Sequence, residues 1–112
     1  MDSKRISPRY VFEGRFRISV QRNSTSLVCE GRARDISESG LGAFVGQTLS
    51  LNEFVTLTLP VPGLEKASLR AIVSRAVGTE YGFQFITLSP AQRSRIQALV
   101  QARTPISAEK RP

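Results

Sequence analysis

From Gly14 onward the chain repeatedly alternates apolar and polar side chains with a period of two, and no other feature constrains its fold as tightly. Phe16, Ile18 and Val20 fall on one side and Arg15, Arg17 and Ser19 on the other, the pattern of a strand with one buried face. Beyond the polar turn cluster 23–26, residues 27–34 form a second strand in which Gly31 marks a bulge or a close approach of backbone. Further short strands follow at 41–45, at 54–59, where Val55, Leu57 and Leu59 alternate with Phe54, Thr56 and Thr58, and at 69–73. In a sixth, Tyr81, Phe83 and Phe85 place aromatics on the core face.

The period then changes. Ser89, Pro90 and Gln92 form a Ser-x-x-Gln capping box with proline in the first turn, so a helix runs from there to about Ala102. Ile96, Leu99 and Val100 make an apolar stripe that docks on the protein's own core. The expected fold is mainly all-β, a six-stranded antiparallel β-barrel with one C-terminal α-helix, because closure removes the edges that short strands leave exposed. Residues 1–12 lack periodicity, and Pro8 steers Ser7 away from helix, so they read as a flexible N-terminal arm. Residues 13–103 form the barrel and helix, and 104–112 a frayed, disordered tail. At 112 residues this is one domain.

Composition narrows the chemistry. With no histidine and one cysteine, Cys29, the sequence offers no histidine-based triad, no Cys/His zinc cluster and no internal disulfide. Ser37 accordingly has no histidine to activate it as a nucleophile. The expectation is a binding protein, with no enzyme activity, metal or cofactor. No segment approaches the ~20 apolar residues needed to span a bilayer, and no apolar leader follows Met1, so a cytoplasmic protein without membrane insertion is expected. The net charge is +7 and unevenly spread: residues 1–34 carry eight basic and three acidic groups, whereas 35–89 carry three basic and five acidic. Most of the cations are Arg, whose planar fork suits phosphates and guanine edges.

Two motifs share that target. Arg5-Ile6-Ser7-Pro8-Arg9 places two arginines four apart on the arm, and Asp35-Ile36-Ser37-Glu38-Ser39-Gly40 forms a turn between strands. A guanidinium donates in pairs to guanine O6 and N7 or to phosphate, while a carboxylate accepts from the N1 and N2 hydrogens on the opposite edge. Ser37 adds a hydroxyl, and Gly40 supplies a positive φ and room for backbone to approach a ligand.

These motifs, R-x-x-x-R followed by D-x-S-x-x-G, resemble the PilZ domain family, the bacterial receptor modules for cyclic di-GMP. The resemblance extends through residues 33–41, through 69–75 with the ending Val73-Ser74-Arg75, and through Tyr81-Gly82-Phe83-Gln84-Phe85, covering roughly residues 4–102. It implies that Arg5 and Arg9 clamp the ligand's phosphates and guanine faces. Asp35 and Ser37 would read the guanine edge, and Gly40 would hold the turn. Lys4 and Arg34, beside the motifs, read as solvated charges. The resemblance further implies a stand-alone receptor whose arm orders on binding and signals to a separate effector protein. Two alternatives are a PilZ-like protein adaptor without cyclic di-GMP response and a small basic barrel binding nucleic acid. The second is disfavoured because the aromatics a single strand would stack on are largely committed to the core.

Overall fold

Cross-strand pairing closes the sheet on itself in the order β1-β2-β3-β6-β5-β4, with every pairing antiparallel. The structure is a computed structural model that describes residues 8–64 and 68–103. Its strands are β1 (Tyr10–Arg22), β2 (Thr25–Ile36), β3 (Gly40–Val45), β4 (Phe54–Thr58), β5 (Leu69–Val77) and β6 (Glu80–Phe85), followed by helix α1 (Pro90–Gln101). This is the expected six-stranded barrel with a C-terminal helix.

The alternating residues fill the barrel. Ile18, Ile36, Leu41, Leu57, Leu69 and Val73 are fully buried, and Phe83 packs edge-on against Phe16 at 6.2 Å and stacks with Tyr81 at 6.4 Å. The Tyr81 hydroxyl accepts a hydrogen bond from the Leu49 amide at 3.1 Å, which pins the β3–β4 loop to the core. Gly31 is a close approach: a Cβ there would lie 2.8 Å from the Phe16 ring. Ser89 caps α1 with the full capping box, and Ile96 and Val100 are buried in the same core with Leu99 half-buried beside them.

One boundary moves. Tyr10, Val11 and Phe12 belong to β1 and not to an arm, and the Phe12 side chain is buried. A register shift between Val11 and Gly14 explains why periodicity hid this, since the extra residue interrupts the alternation. The strand ends where Asn23, at φ 57°, turns the chain into β2. The rest of the expected arm up to Ser7, and the expected tail 104–112, lie outside the described residues.

The β1–β2 hairpin is latched at its tip. The Arg22 Nε donates to Glu53 at 2.7 Å, and its Nη2 donates to Glu53 at 3.0 Å and to the Thr48 carbonyl at 3.0 Å. Those bonds hold the Glu53 carboxyl below the usual carboxylate range. Because the folded value is depressed, the contribution is present above the unfolded pKa and is lost as pH falls through the folded one. Glu53→Gln should therefore lower stability at neutral pH and converge with wild type in acid, as read by chemical denaturation at pH 7 and near pH 3.

Candidate functional site

The turn motif is placed by a bulge. Along β2–β3, Ala33 pairs with Ala43, and then the register slips so that Asp35 pairs with Gly42 and Ile36 with Leu41. A bulge reverses the phase of the residues beyond it. Ala33 and Ile36 both face the core, while Asp35, which strict alternation would put inside with Ala33, shares the outer face with Gly42. Gly42 is what makes this fit, because a Cβ there would lie 2.7 Å from Asp35 Oδ1.

Although it lies on the outer face, Asp35 is only 2% exposed, and among the described residues two arginines lie against its carboxylate. Arg34 Nε donates to Oδ2 at 3.0 Å. Arg9 Nη2 comes within 2.9 Å of Oδ1 but is not aligned for a hydrogen bond. Among the described residues, Oδ1 is the one buried side-chain polar atom left without a hydrogen-bond partner. Such an acceptor is costly to bury unless a donor is supplied. Arg5 lies outside the described residues.

Ser37 and Gly40 build the turn itself. Ser37 is completely buried, and its hydroxyl accepts from the amides of Ser39 and Gly40, each at 3.1 Å. The Ser37 amide donates to the Gly40 carbonyl at 2.8 Å. Gly40 does not supply the positive φ expected of it; among the described glycines that angle belongs to Gly14, Gly63 and Gly78. It is required by crowding instead, since a Cβ would collide with the backbone carbonyl of Phe83 on β6.

Two cross-strand rows extend the site over the outer surface. Asp35, Gly42, Gly82 and Arg75 follow one another across β2, β3, β6 and β5. The adjacent row runs Arg15, Arg32, Phe44, Glu80 and Val77. Gly42 and Gly82 leave a strip without side chains between Asp35 and Arg75, walled by the half-exposed Phe44. A groove of about 470 Å³ continues from it, lined by Glu13, Arg15, Arg32, Arg34 and Phe44. Arg34 is not the solvated charge that its sequence context suggests, because it is held in place by Asp35, Glu80 and the Phe44 ring.

The arrangement suits a flat, anionic molecule: guanidiniums for negative oxygens, a buried carboxylate for N–H donors, and a glycine floor beside an aromatic wall. No group of metal-ligating side chains occurs among the described residues. Sequence reasoning brought Arg9, Asp35, Ser37 and Gly40 together but missed Gly42, Gly82, Phe44 and Glu80. The glycines did leave a signal, because Gly40 and Gly42 repeat with period two beside a strand of aromatics interrupted by Gly82.

The family model described as PilZ domain matches residues 3–102 of the chain. Among solved structures, the PilZ domain of CeSA from a cellulose-synthesizing bacterium superposes with a TM-score of 0.66 at 21% identity, covering 85% of this chain and 96% of that one. The PilZ domain of YcgR from Escherichia coli, solved with c-di-GMP, superposes with a TM-score of 0.62 at 15% identity, covering 97% of this chain and 95% of that one. No curated protein sequence matches.

Proposed function

The chain belongs to the PilZ domain family, and from that premise we propose that it is a cytoplasmic receptor for cyclic di-GMP, not an enzyme, which passes the signal to a separate effector protein. The ligand lies on the outer face of β2, β3 and β6. Arg9, joined by Arg5, clamps phosphate and guanine. Asp35 accepts the N1 and N2 hydrogens of guanine, while Ser37 and Gly40 hold the turn that presents it. Ser37 acts through the turn and not by touching guanine, because its hydroxyl already accepts from the Ser39 and Gly40 amides.

The observation that carries this reading is the Asp35 carboxylate, buried with Oδ1 lacking a hydrogen bond and a guanidinium 2.9 Å away. A guanine edge brings the donors that atom lacks, and the arginine finds phosphate in exchange. Binding that uses Arg5 and Arg9 favours the ordered state of the segment carrying them, which gives the effector a surface to distinguish. The nucleic-acid alternative is left with Phe44 and Phe54 as its exposed phenylalanines, since Phe12, Phe16, Tyr81, Phe83 and Phe85 are all buried and unavailable for stacking on bases.

Titration calorimetry with cyclic di-GMP, beside GTP and a short single-stranded DNA, tests the reading. Selective binding at micromolar or lower concentration, weakened in Arg9→Ala, is expected. Equal heats from all three ligands, or none from cyclic di-GMP, would overturn it.

A further inference from the structure

Of the three arginines that line the groove, Arg15, Arg32 and Arg34, it is Arg34 whose charge is already partnered. Its Nε is bonded to Asp35 Oδ2, its Nη1 lies 3.3 Å from Glu80 Oε1, and its guanidinium sits 5.6 Å from the centroid of the Phe44 ring. The same Glu80 oxygen is 4.0 Å from Arg75 Nη2. By contrast, Arg15 and Arg32 face each other directly across β1 and β2, and neither is in an ion pair with a described residue. Like charges placed directly opposite repel, so this pair gains from any anion that enters the groove between them. Arg34 lines that same groove, with its Nε held by Asp35 and its Nη1 facing Glu80.

We propose that Glu80 is a built-in competitor for the anionic ligand: it holds Arg34 in the empty site, is displaced by ligand phosphate, and so sets the affinity of the receptor. The inference rests on the cyclic di-GMP reading and adds Arg34 to the residues that touch the ligand. The competition can be won because the Arg34–Glu80 pair is more than a third exposed on both sides, where an ion pair is weak. A phosphate offers the guanidinium a bidentate partner in place of one carboxylate oxygen at 3.3 Å. Phe44 and Asp35 meanwhile keep the guanidinium in place, so little ordering is needed when the partner changes.

The test is the dissociation constant for cyclic di-GMP in a four-member cycle: wild type, Glu80→Gln, Arg34→Ala and the double variant, with Glu30→Gln as a control for net charge. Glu80→Gln should tighten binding by roughly two- to five-fold, the size of a partly exposed ion pair. Arg34→Ala should weaken binding by about ten-fold or more. In the Arg34→Ala background the gain from Glu80→Gln should largely vanish. Glu30 lies opposite Arg17, away from the groove lining, and its replacement should change little. An unchanged or weakened Glu80→Gln, a gain that persists without Arg34, or an equal gain from Glu30→Gln would overturn the competitor role while leaving the receptor intact. A folded wild type that binds no cyclic di-GMP would overturn both.

Discussion

Asp35→Ala should abolish measurable cyclic di-GMP binding while the barrel stays folded. The carboxylate is the acceptor that reads guanine, and truncating one partner of a buried, charged hydrogen-bonding pair costs about 2–5 kcal/mol, or roughly thirty-fold to several thousand-fold in affinity. The fold survives because its cationic partners among the described residues, Arg9 and Arg34, are each about 40% exposed and can be solvated in place. Removing Asp35 also removes a buried charge whose Oδ1 lacks a hydrogen bond, which offsets part of the lost ion pairing. Gly42→Ala should reach the same result by another route, since its methyl group would push the carboxylate from its place without deleting it. Calorimetry on both variants, beside circular dichroism and a thermal melt, separates lost binding from lost structure. A variant without Asp35 that binds as wild type does would remove this residue from the site.

Gly40→Ala should cause the largest loss of stability among substitutions in the motif. The added methyl meets the Phe83 carbonyl, which is backbone and cannot rotate away. Relief by separating β3 from β6 is blocked on both sides of the contact. Gly40 is paired with Gln84, and the Phe85 amide donates to the Ser39 carbonyl at 2.8 Å. Overpacking of this kind costs about 1–3 kcal/mol and more where backbone must move. With ~4–8 °C per kcal/mol for a domain of this size, the melting temperature should fall by about 10 °C or more. Gly46→Ala serves as the control, because nothing lies within 4 Å of a Cβ there, and it should melt near wild type. Similar melts for the two variants would show that the β3–β6 contact is looser than its geometry implies.

The parts of the fold that were legible in the sequence were those that follow one local rule. Residues such as Phe16, Ile18, Val20, Leu57 and Phe83 announce inward faces by simple alternation, and Ser89 with Gln92 announces a helix start through side chains three apart. The site was less legible because it depends on where the rule is broken. Alternation alone groups Asp35 with Ala33, and the slip that turns Asp35 outward exists only once β2 is registered against β3. The same limit applies to Tyr10–Phe12, hidden behind the irregularity in β1, and to Arg75, which follows another slip between β5 and β6. Gly40 invites a conformational explanation, whereas the reason for it lies at Phe83 on β6, far along the chain. Arg34 looked like solvated charge because its partners Phe44 and Glu80 come from two other strands.

The most direct test of the whole account is a titration of isotopically labelled protein with cyclic di-GMP, following backbone amide chemical shifts. The largest changes should fall at Arg9, along residues 34–42, and at Phe44, Glu80 and Gly82, with the opposite face around Phe54 and Arg70 unmoved. Changes centred on β4 and β5, or a spectrum indifferent to the ligand in a folded protein, would contradict the assignment of this surface as a cyclic di-GMP site.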